Sequence, residues 1–99
     1  MIRGTTPTHT FTLPFDSALV AKVMVIYAQN GVEVFRKELP ECQMEGNEVR
    51  CRLTQEDTFK LQCETNVEIQ LRILTTDGNA MATFPRFIGV DKCLNDEVL

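Results

Sequence analysis

The chain is poor in the residues that usually carry catalysis. Its 99 residues include no tryptophan, one tyrosine, one histidine and a single serine, Ser17. It has no glycine-rich phosphate loop and no dinucleotide-binding fingerprint. Ser17 lacks the flanking glycines of a nucleophile elbow, and His9 shares a strand face with Phe11 and Leu13, as a packing residue would. We therefore predict a protein without enzymatic activity and with no catalytic or cofactor-binding residues.

Positive charge is scarce and dispersed. The formal net charge is −4, the sequence pI is near 4.9, and no run of Lys or Arg occurs. Nucleic-acid and membrane-surface binding depend on clustered cations, so we expect neither partner. The longest apolar stretch, around residues 18–28, is interrupted by Lys22 and is too short to span a bilayer. The first seven residues lack the apolar core of a signal peptide, which predicts synthesis and folding in a cytoplasm.

The cysteines do not form a metal-binding pattern. They lie at positions 42, 51, 63 and 93, with no C-x-x-C pair and one histidine to complete a site. Structural zinc sites use closely spaced Cys and His ligands, so we predict no metal. Cytoplasmic folding favours free thiols over disulfides, and Cys51 alternates with Val49 and Leu53 as a small buried residue would.

Length and composition predict one domain over residues 1–99, with residues 1–6 as a flexible or partly ordered arm. Three turn signals divide this domain: Asn30-Gly31, Gly46-Asn47 and Asp77-Gly78. Their spacing leaves room for a strand on either side of each turn. No repeat, linker or low-complexity segment is present.

Alternating apolar and polar residues predict strands between these turns. The clearest alternation runs from Val67 to Ile73, and a similar one runs from Glu48 to Leu53. A first strand ends before Pro14, and a second, over Leu19–Tyr27, is apolar on both faces. Further strands are expected over Val32–Lys37 and Ala80–Ile88, where Pro85 indicates an edge strand or a bulge. The C-terminal residues 94–99 are expected to form either a short strand or ordered coil.

One helical turn is predicted near residues 55–59. Thr54 and Asp57 have the spacing of a capping box, with Asp in place of the usual Glu or Gln. Such a turn would serve as a crossover between two sheets. Hairpins joined by a crossover predict an all-β, immunoglobulin-like, two-sheet antiparallel sandwich of about seven short strands.

Several apolar residues are expected on outer sheet faces, which are normally polar. If Leu19, Ala21, Val23, Val25 and Tyr27 fill the core, then Met24 and Ile26 face outward with Lys22. Phe35 shares a face with Glu33 and Lys37, and one of Phe84 and Phe87 has to point away from the core. Either these residues are covered by a loop or tail, or they form an interface made by Met24, Ile26, Phe35 and Phe84.

Several segments also carry a family resemblance: residues 3–15, 28–31, 53–58 and 67–72, followed by Asp77-Gly78. Together they resemble a family of small phage-derived proteins encoded in the tail and structural cassettes of prophages from Gram-positive gut bacteria. More distantly, they are similar to the N-terminal sandwich domain of phage upper baseplate proteins. The resemblance implies a structural or assembly protein made in the host cytoplasm, with the virion as a further location.

Residues and resemblance together predict a phage structural or assembly-interaction protein of the tail, baseplate or fibre. Its expected partners are further copies of itself, other phage structural proteins, or both. The alternative is a ligand-binding sandwich, with glycan as one candidate ligand. Glycan sites usually offer exposed Trp or Tyr for stacking, whereas Tyr27 is expected in the core.

Overall fold

The structure is a computed structural model that describes residues 1–99, and it confirms the predicted all-β sandwich. Eight strands form two antiparallel sheets, and one short α helix connects them. The strands are β1 (Thr8–Thr12), β2 (Val20–Gln29), β3 (Val32–Glu38), β4 (Gln43–Glu45), β5 (Glu48–Arg52), β6 (Val67–Thr75), β7 (Ala80–Ala82) and β8 (Arg86–Ile88); the helix is α1 (Gln55–Phe59), and a 3₁₀ turn covers Ser17–Leu19.

The two sheets differ in size. The smaller sheet has the strand order β1-β5-β4. The larger one has the order β3-β2-β6-β7, and β8 also pairs with β6. β3 and β4 are therefore edge strands, while β2 and β6 form the centre of the larger sheet.

Residues that alternate along the strands form the core between the sheets. The predicted inward face of β6 is confirmed, since Val67, Ile69, Leu71 and Ile73 are all buried. In the smaller sheet the predicted inward residues are also buried: Phe11, Leu13, Val49, Cys51 and Leu53. Seventeen buried hydrophobic residues make one continuous cluster. Because period-2 alternation places every second side chain on one face, the pattern located most of this core.

All three turn signals connect paired strands. Asn30 and Gly31 have φ angles of 51° and 76°, as a tight two-residue hairpin between β2 and β3 requires. Gly46-Asn47 joins β4 to β5, and Asp77-Gly78 lies between β6 and β7. β4 is only three residues long and the sequence did not indicate it.

Two register shifts correct the predicted faces of β2 and β3. Between Val20 and Lys22 the pairing with β6 shifts by one residue, so Val20 is buried while Leu19 and Ala21 are exposed. Near Tyr27 the pairing with β3 also shifts, and Val34 becomes an extra residue. Phe35 then lies opposite Tyr27 on the inner face. The expectation that Phe35 faces outward is wrong: it is 8% exposed and belongs to the core.

The segment 80–88 is divided at Pro85 into two short strands, because proline cannot donate a ladder hydrogen bond. Residues 94–99 contain no strand. With β4 added and the segment 80–88 split into two strands, the structure has eight strands, whereas about seven were predicted.

The predicted capping box at α1 is present. The Asp57 backbone N–H donates to the Thr54 hydroxyl (3.1 Å), and the Thr54 backbone N–H donates to the Asp57 carboxylate (2.9 Å). The helix carries the chain from β5 in one sheet to β6 in the other, as predicted for a crossover turn. Leu61, just beyond the helix, is buried in the core.

The first six residues, expected as a flexible or partly ordered arm, lie against the end of α1. The Arg3 guanidinium donates to the carbonyls of Leu61 (2.7 Å) and Phe59 (3.0 Å). The Gly4 N–H donates to the buried Thr58 hydroxyl (2.9 Å), which in turn donates to the Thr5 carbonyl (2.9 Å). These bonds supply donors to partly buried carbonyls at and just beyond the end of α1, and they hold the arm in place.

We expect Gly4→Ala to lower the free energy of unfolding by about 2 kcal/mol or more, since alanine is strained at a positive φ and its Cβ would also displace the Phe59 ring. Gly46→Ala should show only the backbone part of this loss, about 1 kcal/mol. Gly4 has a φ of +80°, and an added Cβ would run into the Phe59 ring. Gly46→Ala is the matched control, because Gly46 has a φ of +57° but nothing within 4 Å of an added Cβ. Urea unfolding of both variants measures the difference. Equal losses would contradict a role for the Phe59 contact.

Candidate functional site: the outer face of the larger sheet

Apolar side chains occupy the outer face of the larger sheet. Met24 and Ile26 project from β2 away from the core and are half-buried, so their predicted outward direction is confirmed. Leu74 on β6 lies on the same face, opposite Lys22, and Ala80 on β7 lies opposite Leu74. We call Ala21, Met24, Ile26, Leu74 and Ala80 the outer band.

All residues of the outer band except Ile26 line a shallow open groove of about 540 Å³. Eight of its eleven lining residues are hydrophobic. Leu39, which follows β3 and is partly exposed, lines one side, and Met81 lines the other. Apolar surface of this kind on a sheet face is typical of a binding surface, because water is readily displaced from it.

Charged and polar residues on the neighbouring strands flank Met24 and Ile26, and on β3 Arg36 also approaches Glu38 at 3.9 Å. Across the strands, Glu38 lies opposite Met24 on one side and Arg72 lies opposite it on the other. In the next row Ile26 lies between Arg36 and Gln70. Arg36 is held by Glu33 at 3.0 Å and approaches the Met24 sulfur at 3.9 Å. The face therefore has an acidic border at β3 and a basic border at β6 in the row of Met24.

Two exposed phenylalanines lie beyond the outer band. Phe84 is 93% exposed in the link between β7 and β8, and Phe87 on β8 is 65% exposed. Phe87 lies opposite Glu68, on the same outer face as Met24. The sequence required one of the two to face away from the core, and in the structure both do. Of the four predicted interface residues, the structure thus leaves Met24, Ile26 and Phe84 accessible, and places Phe35 inside.

Phe35 instead stacks on Tyr27 in the core. The two rings are nearly parallel, with centroids 4.6 Å apart. Tyr27 has no exposed surface, as predicted, and its hydroxyl reaches the smaller sheet. There it lies 2.8 Å from Nδ1 of His9 and 3.6 Å from the sulfur of Cys51. Burial, followed by the Arg86 charge, lowers the pKa of His9, and burial raises the pKa of Tyr27. His9 therefore joins the two sheets as a neutral hydrogen-bonding partner.

A second polar contact joins β3 to the helix. The Lys37 ammonium lies 2.7 Å from the Asp57 carboxylate, and both side chains are nearly buried. Burial disfavours the charged form of Asp57, but hydrogen bonds from Lys37 and Thr54 outweigh it and lower the pKa of the carboxyl. For Lys37, burial is likewise outweighed by the Asp57 contact, and its pKa is raised. This ion pair holds α1 against the larger sheet.

The residues considered for catalysis are not brought together. Ser17 begins the 3₁₀ turn, where its backbone N–H donates to the Gly46 carbonyl (2.7 Å). His9 is hydrogen-bonded to Tyr27. No group of three or more His, Cys, Asp or Glu side chains is placed to hold a metal ion. The structure also contains no helix of the length and apolarity needed to cross a membrane.

The sequence missed several residues of the outer face. Leu74, Ala80 and Glu38 join Met24 through strand pairing alone, and Glu38 reaches its position only through the bulge at Val34, which shifts β3 against β2. The available signal was the alternation in β6, which already placed Arg72 on the outer face.

Comparison with known proteins identifies no relative: no family model, curated protein or solved structure matches the chain.

Proposed function

We propose that this protein is a non-enzymatic interaction protein that pairs with a second copy of itself through the outer band. The observation that carries the proposal is the row Glu38, Met24, Arg72, in which an apolar residue separates opposite charges. An interface between identical surfaces has to be complementary to itself, and this row has that property.

The pairing geometry follows from the order of the row. If two copies stack their larger sheets about a two-fold axis that runs along β2, Met24 meets Met24 and Ile26 meets Ile26. Lys22 then lies next to Lys22 near the start of β2, where its exposed side chain can extend its ammonium group into water. The rotation exchanges the two sides of the row, so Glu38 of each copy faces Arg72 of the other. Sheets that stack in this way lie about 10 Å apart with their strands roughly aligned.

The first test is the solution mass, measured by size exclusion with light scattering over a wide concentration range in reducing buffer. The chain has a mass of 11.2 kDa, and we expect twice that value at high concentration. A single mass of 11.2 kDa throughout would overturn self-pairing.

Met24→Lys and Ile26→Lys should weaken the dimer by about 30-fold each, because a central apolar contact is replaced by two facing ammonium groups. Thr10→Lys is the matched control, since Thr10 is an exposed strand residue on the smaller sheet. Circular dichroism and urea unfolding of each variant show whether the monomer fold is retained. Weakening by Thr10→Lys to the same degree would argue against the outer band as the interface.

A charge exchange tests the geometry itself. Arg72→Glu alone should weaken the dimer, because two carboxylates then face each other. Adding Glu38→Arg to the same chain restores opposite charges across the axis, so the double variant should recover most of the affinity. Loss without recovery would contradict the two-fold arrangement.

We also propose, on the sequence resemblance, that the assembly belongs to a phage tail, baseplate or fibre. A compact sandwich with a self-complementary face is a suitable repeating part for such a structure. Mass spectrometry of purified particles and of assembly intermediates from an induced lysogen carrying the gene tests this step. Absence from both would overturn the phage assignment while leaving the dimer intact.

The groove keeps ligand binding as a second candidate function. Its volume of about 540 Å³ lies within the range of small-molecule sites. None of the lining residues is aromatic, so a sugar ring would find no stacking surface there. A glycan array probed with wild type and with Met24→Lys tests this function. Ligand binding at the groove requires that wild type binds a glycan and that Met24→Lys does not.

A further inference from the structure

Two buried cysteines face each other across the β4–β5 hairpin. In this hairpin Gln43 pairs with Arg50 and Met44 with Val49. Cys42 directly precedes β4, and its N–H donates to the Glu38 carbonyl (3.3 Å). Continuing the register by one step beyond its last pair sets Cys42 against Cys51. Both side chains are buried, and the two thiols are close enough for each to act on the pKa of the other through a hydrogen bond.

The backbone geometry at this position suits a disulfide. The residues that flank β1 bond to the β5 side of the sheet: the Leu13 N–H donates to the Asn47 carbonyl (2.6 Å), and the Leu53 N–H donates to the Pro7 carbonyl (2.9 Å). Cys51 alternates in phase with Asn47 and Leu53, so its pairing toward β4 is of the non-hydrogen-bonded kind. Cα atoms in such pairs lie about 4.5 Å apart, within the range of about 4.4–6.8 Å found in disulfides.

The surroundings favour thiolate formation in one member of the pair. Cys51 receives a hydrogen bond from the Tyr27 hydroxyl at 3.6 Å. Its pKa is lowered chiefly by the hydrogen bond from Cys42, against the opposing effect of burial, with Tyr27 and the Lys37 charge as further causes. The pKa of Cys42 is raised by the same hydrogen bond and by burial. Cys51 is thus the sulfur that reacts first with an oxidant, and Cys42 is the sulfur that then closes the disulfide.

Access to the pair is through the edge of the smaller sheet. β4 is three residues long and lies at that edge, so it is hydrogen-bonded to a single neighbouring strand, β5. Short edge strands open locally at low cost in free energy. Such an opening admits a molecule of the size of peroxide to thiols that a larger substrate cannot reach.

We propose that Cys42 and Cys51 form a redox pair that hydrogen peroxide converts to a disulfide within one chain. The Cys51 thiolate attacks one peroxide oxygen and breaks the O–O bond, which gives a sulfenic acid and hydroxide. The Cys42 sulfur then attacks the Cys51 sulfur, forms the S–S bond and releases the sulfenic oxygen as water once the Cys42 proton has been transferred. Two thiols lose two electrons and one peroxide becomes two waters.

The remaining cysteines provide an internal comparison. Cys63 and Cys93 are partly exposed, and the Cys93 thiol donates to the Asn95 carbonyl (3.0 Å). Neither has a cysteine opposite it on a paired strand. Exposure alone would therefore favour oxidation of Cys63 and Cys93, whereas geometry favours Cys42 with Cys51.

The test is to oxidise the folded, reduced protein with hydrogen peroxide, block remaining thiols with N-ethylmaleimide under denaturing conditions, and measure the intact mass. The protein has four free cysteines, and we expect blocking of two of them with the loss of two hydrogen atoms from the unblocked pair. Peptide mapping should place the bridge between Cys42 and Cys51, and dithiothreitol should restore four blocked thiols.

Variants separate this bridge from other products. Cys42→Ala should abolish it, while a chain carrying both Cys63→Ser and Cys93→Ser should form it as wild type does. Mapping of the wild-type product needs no variant, so a folding defect in Cys42→Ala does not affect the outcome. A bridge to Cys63 or Cys93, a bridge between chains, or blocking of all thiols after oxidation would each overturn the proposal.

Discussion

Tyr27→Ala is expected to lower the free energy of unfolding by about 3–5 kcal/mol, the usual loss when a fully buried aromatic residue is truncated. Tyr27 has no exposed surface and packs against Phe35 with ring centroids 4.6 Å apart. Its hydroxyl is also the contact through which the larger sheet reaches His9 and Cys51. Urea unfolding followed by circular dichroism measures the loss.

Tyr27→Phe separates the ring from the hydroxyl. The phenylalanine ring keeps the packing against Phe35, but Nδ1 of His9 loses its partner at 2.8 Å. The full cost of a buried polar group without a hydrogen bond is about 1–3 kcal/mol, and His9 is only partly buried, so the loss should lie toward the lower end. The stability of this variant should therefore lie between those of wild type and Tyr27→Ala. If Tyr27→Phe proved as stable as wild type, the His9 contact would contribute nothing to the joining of the sheets.

Asp57→Ala is expected to lower the free energy of unfolding by about 2–4 kcal/mol, because it breaks a nearly buried ion pair and also removes a helix cap. The Lys37 ammonium loses its contact at 2.7 Å, and the Thr54 N–H loses its acceptor at 2.9 Å. Glu56→Ala is the matched control, since Glu56 is the exposed neighbour in the same helix and should change stability by less than about 0.5 kcal/mol. Equal effects of the two substitutions in urea unfolding would contradict this role.

Because of the Asp57 carboxyl, the free energy of unfolding should depend on pH in the acid range. The folded-state pKa of Asp57 is lowered: burial opposes the charged form, but hydrogen bonds from Lys37 and Thr54 more than compensate. A lowered pKa contributes stability that is present above the unfolded value of about 4 and is lost as the pH falls through the folded value. Asp57→Asn should therefore be less stable than wild type at about pH 6, and this difference should shrink at about pH 2–3. A constant difference over that range would exclude the ion pair as its source.

Much of the fold was predictable because strand alternation and turn residues act locally. Val67, Ile69, Leu71 and Ile73 fill one face of β6 with buried side chains, as their spacing indicated. Asn30-Gly31 adopts the positive φ angles that few other residue pairs tolerate. Thr54 and Asp57 form the capping box within a span of four residues. None of these features depends on which strands lie next to each other.

The candidate site was predictable only in part. Met24 and Ile26 were placed on the outer face from the alternation in β2, and the structure agrees. Phe35 was misplaced because the two-residue turn, continued without a shift, puts Val34 opposite Tyr27. The bulge at Val34 moves Phe35 into that position instead. A bulge costs little and is selected by packing across the core, so the sequence near Phe35 does not indicate it.

By itself the sequence determined the class of the fold, the position of its hairpins, the helical turn and most of the core, since each follows from side-chain period or from local backbone preference. The tertiary structure alone decided what is brought together across strands. It placed Glu38 and Arg72 on either side of Met24, Lys37 against Asp57, and Cys42 near Cys51, one step beyond the last pair of the β4–β5 register. These contacts depend on strand order and register, which arise from packing between distant segments and leave no periodic trace in the chain.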